Sequence, residues 1–190
     1  MEIWDAFTRT RIHQLRGHTN LVLCVASLPG GLLASGSGDK TVRLWNAASG
    51  AHVATLEGHT RWVWALAVLP DGRLASGCGD KTIRLWDIAT RACTAVLQHE
   101  RSVYALAVLN DGRLASGCAD NKIYIWAVAS GVREAVLEGH TSLVESLAAL
   151  PNGLLASGSE DKSVRVWDVA AYACVAMLEG HRGTVCALAA

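Results

Sequence analysis

Nearly continuous apolar runs recur along the chain at Leu21 to Leu28, Trp62 to Leu69, Ser102 to Leu109 and Leu143 to Leu150. Runs this short, bounded by turn residues, read as strands buried on both faces, although periodicity alone leaves a buried helix open. Each is followed by a Gly-containing turn: Pro29-Gly30-Gly31, Pro70-Asp71-Gly72, Asn110-Asp111-Gly112 or Pro151-Asn152-Gly153. A second strand then reads LLASGS or RLASGC, and a tight turn at Gly-Asp-Lys leads into a third, alternating one such as Thr41-Val42-Arg43-Leu44-Trp45. A fourth follows at His52 to Leu56 or Cys93 to Leu97. The pattern predicts four short antiparallel strands per unit, joined by hairpin chemistry.

The unit repeats. His18, His59, His99, His140 and His181 are spaced by 41, 40, 41 and 41 residues, and Trp4, Trp45, Trp86, Trp126 and Trp167 by 41, 41, 40 and 41. Between them LASGSGDKTVRLWN recurs as LASGCGDKTIRLWD, LASGCADNKIYIWA and LASGSEDKSVRVWD. A period near 40 with four strands per unit describes one propeller blade each. Small residues in the second strand suit close stacking of neighbouring blades.

The dipeptides Gly17-His18, Gly58-His59, Gly139-His140 and Gly180-His181, with Trp4-Asp5, Trp86-Asp87 and Trp167-Asp168, complete a pattern that resembles the WD-repeat family of β-propellers over essentially the whole chain. The third unit departs, with Gln98-His99 for Gly-His and Trp126-Ala127 for Trp-Asp, and Asn46 replaces Asp in the first. The resemblance implies an all-β propeller of four complete four-stranded blades plus a split partial fifth. The repeats run over 17–57, 58–97, 98–138 and 139–179; residues 1–16 close a partial blade, and 180–190 supply the first strand of the next. The period projects a missing second strand for that blade. The expectation is a piece of a longer propeller rather than a distorted five-blade ring or a ring completed by two chains, with incomplete edges through which chains could self-associate.

Every complete unit carries the residue types of a serine hydrolase. They are His18, Ser35, Asp39; His59, Ser76, Asp80; His99, Ser116, Asp120; and His140, Ser157, Asp161. An active site needs one nucleophile with a pocket, and nothing requires four copies. The resemblance implies structural tetrads instead. In each, the indole of Trp45, Trp86, Trp126 or Trp167 donates to Ser, Ser bonds His, and His bonds the Asp of the tight turn. No phosphate loop occurs and the His spacing is foreign to zinc sites, so no catalytic residue, metal or cofactor is expected. Cys78 and Cys118 stand where Ser37 and Ser159 stand in other units and read as packing.

Two Trp residues remain outside the scaffold, Trp62 and Trp64. Trp64 aligns with Leu23, Tyr104, Glu145 and Cys186, a position too variable to be held by packing, unlike Val63, Val103, Val144 and Val185. The resemblance places these positions beside the central channel, on the face where the strand-two/strand-three turns emerge and partners commonly bind. Arg61, Trp62, Trp64, Arg101, Tyr104, Leu23 and Glu145 are therefore the expected partner-binding residues, since Trp, Tyr and Arg anchor interfaces. The competing reading has Trp62 and Trp64 filling gaps between blades. Gly38, Gly79, Ala119 and Glu160 share the rim, and Lys40, Lys81 and Lys162 read as solvated turn residues.

Composition narrows the function. Seventeen basic and seventeen acidic side chains cancel in 190 residues, so no net field favours nucleic acid or acidic lipid. An apolar content of 51% excludes a disordered tail, and no run approaches the roughly 20 residues of a membrane-crossing helix. The N-terminus lacks a secretory pattern. The six cysteines, Cys24, Cys78, Cys93, Cys118, Cys174 and Cys186, form no CxxC and read as free thiols of an intracellular, cytoplasmic protein. The resulting expectation is a non-enzymatic scaffold for a protein or peptide partner. The alternative is a small-molecule-binding or hydrolytic propeller using the central channel, where Glu145 is the only acidic residue at its aligned position.

Overall fold

The computed structural model describes residues 1–189. Eighteen strands form four four-stranded antiparallel sheets and one two-stranded sheet. The two-stranded sheet comes first, with β1 (Glu2–Trp4) against β2 (Arg11–Gln14). Blade 1 is β3 (Val22–Leu28), β4 (Leu32–Ser37), β5 (Val42–Asn46) and β6 (His52–Leu56). Blade 2 is β7 (Val63–Val68), β8 (Leu74–Cys78), β9 (Thr82–Trp86) and β10 (Cys93–Gln98). Blade 3 is β11 (Val103–Val108), β12 (Leu114–Cys118), β13 (Ile123–Ala127) and β14 (Val132–Leu137). Blade 4 is β15 (Val144–Ala149), β16 (Leu154–Ser159), β17 (Val164–Asp168) and β18 (Ala173–Leu178). Within each blade the strands pair in sequence order, as hairpin connections require.

The first strands of the blades contact one another in succession, β3 with β7, β7 with β11, and β11 with β15. Together with Cys186 to Leu188 they line a central channel of about 420 Å³. These inner strands differ from the expectation of burial on both faces. In β7, Val63, Ala65 and Ala67 are buried while Trp64, Leu66 and Val68 are half-buried, because alternate residues face the channel.

The second strand explains how closely the blades stack. A Cβ built on Gly77 would lie 2.8 Å from Val103 Cγ1 of the next blade, and Gly36, Gly117 and Gly158 meet Val63, Val144 and Val185 in the same way at 2.6–2.7 Å. Only a residue without Cβ lets these valines, nearly inaccessible to solvent, seat against the neighbouring strand. Gly77→Ala is expected to lower the unfolding free energy by about 1–3 kcal/mol through overpacking, read in a urea titration. Unchanged stability would remove this close approach as a constraint.

The split fifth unit departs from the other four. Trp4 is 57% exposed, whereas its equivalents on β5, β9, β13 and β17 are buried. Residues 180–189, expected as a first strand, form no ladder. Val185 instead attaches to blade 4, its N–H donating to the Ser159 carbonyl at 3.0 Å while the Ser146 hydroxyl donates to its carbonyl at 3.0 Å. Among the described residues this segment pairs into no sheet of its own.

Candidate functional site

The recurring polar groups assemble as buried clusters. In blade 2 the Trp86 indole N–H donates to Ser76 Oγ at 2.8 Å, Ser76 Oγ lies 2.7 Å from His59 Nε2, and His59 Nδ1 lies 2.9 Å from Asp80. A carboxylate only accepts, so Nδ1 carries the proton and Nε2 accepts from the serine hydroxyl. Asp80 also accepts from the backbone N–H groups of Thr60 and Thr82 and from the Thr82 hydroxyl. Blades 1 and 4 repeat the arrangement with Trp45, Ser35, His18 and Asp39, and with Trp167, Ser157, His140 and Asp161. Burial pushes these aspartates up, but the hydrogen bonds from Thr or Ser, from His and from backbone outweigh it and hold all three well below the usual carboxylate range. The four serines have no solvent exposure. Each cluster ties the loop entering a blade to its second and third strands.

Blade 3 departs from the expected tetrad. His99 does not bond Asp120. Its Nδ1 faces the Cys118 thiol at 3.3 Å, and Nε2 reaches Ser116 only at 3.3 Å, while the Trp126 indole still donates to Ser116 at 3.0 Å. Asp120 accepts instead from the Tyr124 hydroxyl at 2.6 Å and from the backbone N–H of Lys122. The cause is a set of coupled replacements. Gln98 stands for the usual Glu-Gly pair and shortens the unit by one residue, so β10 stays paired through Gln98, opposite Thr82, right up to the histidine. The His99 ring is drawn to 4.9 Å from Trp126, against 6.2 Å in the other blades. Lys122 replaces the hydroxyl residue that binds Asp elsewhere. Tyr124 replaces the Arg whose guanidinium packs under the histidine-loop glycine, as Arg84 does under Gly58 at φ +141°. Burial, with Arg133 acting in the same direction against Asp120, pushes His99 down to about 4.

His59, Cys78 and Asp80 place one ligand atom each within 4.8 Å of one another. Those atoms already serve one another and the backbone. The Cys78 thiol donates to the Arg61 carbonyl at 3.2 Å and accepts from the Asp80 N–H, and burial pushes it up to about 12. His59 and Asp80 belong to the blade 2 tetrad, and Cys78 sits beside it.

The WD dipeptide has its own task. The Asp87 and Asp168 carboxylates accept backbone N–H groups in the turn before the outer strand, and Asn46 does the same through its amide oxygen. Ala127 has no such acceptor. A family model described as "WD domain, G-beta repeat" matches residues 9–46, 50–87, 91–127 and 131–168. The chain belongs to the WD-repeat family. Each match runs from an outer strand to the third strand of the next blade, so repeat and blade are staggered by one strand. No individual curated protein matches the chain at a significant level. WD-repeat domains serve in general as non-enzymatic protein-interaction scaffolds, and no described helix here is long and apolar enough to cross a membrane.

Outside the WD scaffold, three aromatic side chains line up across two blades. Trp62 and Trp64 have ring centroids 5.3 Å apart, and Trp64 and Tyr104 5.1 Å apart. Trp62 is 39% exposed and packs against Gly38 of the blade 1 turn, while Trp64 packs against Gly79. With Arg61, Gly79, Lys81 and Ser102 they line an open cavity of about 510 Å³. Lys81 of the blade 2 tight turn lines this cavity and Lys40 of the blade 1 turn lines one beside it, both on left-handed backbone, at φ +69° and +74°. Of the other expected residues, Glu145 lines the channel beside Trp64. Leu23 is half-buried on β3 and Arg101 is exposed before β11, and neither lines the aromatic cavity. Lys81, read from sequence as a solvated turn residue, is part of it.

Proposed function

We propose that this chain binds a peptide or protein partner on the propeller face at the mouth of the channel, with Trp62, Trp64 and Tyr104 as the apolar floor. The observation that carries this reading is the open aromatic stack itself. Large rings left partly in water, Trp62 at 39% and Trp64 and Tyr104 half-buried, are costly to leave uncovered, and they offer contact area at little cost in side-chain entropy. Burial of those rings by a partner returns that area. The tetrads, by contrast, are satisfied internally and have nothing left to offer a ligand.

A random peptide library displayed on phage and selected on the wild-type protein supplies the test. Recovered peptides should bind at least about 30-fold more weakly to a Trp62→Ala/Trp64→Ala variant, the loss expected for a pair of interface anchors. Peptides that bind the variant as well as wild type would place the site elsewhere.

A further inference from the structure

The aromatic floor has a different charge at each end. At the blade 1 end, Lys40 and Arg61 line, with Thr60 and Trp62, a second cavity of about 480 Å³ that adjoins the first, while Lys81, on the blade 2 turn, lines the first together with Ser102 and Tyr104. Among the described residues none of these three cations has an ion-pair partner within 4 Å. At the other end stand Glu145 and Glu160. Glu160 accepts one hydrogen bond, from the Ser142 hydroxyl at 2.7 Å, and Glu145 has no hydrogen-bond or ion-pair partner among the described residues. Burial, and then repulsion from Glu160, push the Glu145 carboxyl up; the same two carboxylates push up the Tyr104 hydroxyl after burial. Unneutralised like charges beside one another, partly desolvated, are an unfavourable arrangement that an incoming charge of opposite sign relieves.

Resting on the partner-binding reading above, we infer that the ligand is an extended peptide segment of mixed charge: an acidic side chain seats between Lys40 and Arg61, an apolar or aromatic group lies on Trp62 and Trp64, and a basic side chain reaches past Tyr104 to Glu145 and Glu160. The two ring spacings of the stack together span about 10 Å, or three residues of extended chain, so the two charges sit about four to five residues apart. A purely acidic segment satisfies one end and is repelled at the other. A purely basic segment does the reverse.

Three families of blocked synthetic peptides test this, each with a central phenylalanine pair: one glutamate and one lysine at the two ends in both orders, glutamate at both ends, and lysine at both ends. Affinity is followed through tryptophan fluorescence. One of the two mixed orders should bind about tenfold more tightly than either uniform family, with the gap closing as salt is raised. Glu145→Gln should abolish the advantage over the all-acidic peptide and leave the advantage over the all-basic one. Lys40→Asn, which keeps a residue tolerant of left-handed backbone (Asn121 holds that place in blade 3), should weaken the mixed peptide in the same direction as Arg61→Gln. Equal or tighter binding of a uniform peptide, a preference indifferent to Glu145→Gln, or no binding of any family at millimolar concentration would overturn the charge assignment. If library-selected peptides still need Trp62 and Trp64 in that event, the site stands and only the ligand's charge pattern falls. If they do not, the site itself falls.

Discussion

Replacing Asp80 with alanine is expected to lower the unfolding free energy by about 3 kcal/mol, whereas Asp120→Ala in the next blade should cost only about 1 kcal/mol. The two residues occupy the same place in their repeats and differ in what depends on them. Asp80 accepts four hydrogen bonds, from His59, Thr60 and twice from Thr82, and its side chain is only 8% exposed. Its removal leaves the His59 Nδ1–H and two backbone N–H groups without partners in a site that water reaches poorly. Asp120 accepts one short bond from the Tyr124 hydroxyl and one long bond, at 3.3 Å, from the Lys122 N–H, and His99 does not lean on it. Urea titrations of the two variants decide the matter. Equal losses would mean that the rewiring of blade 3 has no energetic weight. An esterase activity in the wild type lost with Ser76→Ala alone would instead mean that blade 2 holds a reactive serine.

The second large effect is acid sensitivity centred on blade 3. His99 is held at about 4, mainly by burial, while an unfolded histidine titrates near 6.5. Between those values the unfolded chain binds the proton and the folded chain does not, so stability falls as pH falls. The contribution is fully present above about pH 6.5, is lost progressively on the way to pH 4, and changes no further below it. A gap of that size corresponds to roughly 3 kcal/mol. His140, also lowered by burial against the pull of Asp161, adds in the same direction. Below pH 4 the loss continues for a different reason. Asp39, Asp80 and Asp161 titrate below their unfolded values, so the stability they contribute is present above about pH 4 and disappears as they protonate. Thermal midpoints measured between pH 8 and pH 4 should slope downward below pH 6.5 in the wild type and be flatter in His99→Gln, whatever the variant's absolute stability. Parallel profiles would show that His99 is not the group responsible.

Much of the architecture is legible in the sequence because it is periodic. The spacing of His, Asp and Trp, the LASG strand and the turn residues all describe the same four-stranded unit, and local and global signals agree. What escapes is where several positions change together. Gln98, Cys118, Lys122 and Tyr124 each look like tolerable substitutions when read singly. Only in three dimensions does the shortened loop pull His99 away from Asp120, with Tyr124 taking its place. The signal was present in the 40-residue spacing and in the loss of the Thr41, Thr82 and Ser163 hydroxyl at Lys122. The partner face was legible in part. Departure from the repeat points to Trp62, Trp64, Tyr104 and Glu145, but sequence cannot say which way a rim side chain leans. Leu23 aligns with Trp64 and Arg101 with Arg61, yet both lie off the aromatic cavity, while Lys81, on the left-handed turn, lies on it.

The division of labour between repeated and unrepeated residues is tested most directly by the urea-unfolding free energy of the Trp62→Ala/Trp64→Ala variant. Side chains that serve recognition and not packing predict a value within about 1 kcal/mol of wild type. A loss as large as that of Asp80→Ala would show that the two indoles hold the blades together, and would contradict the account.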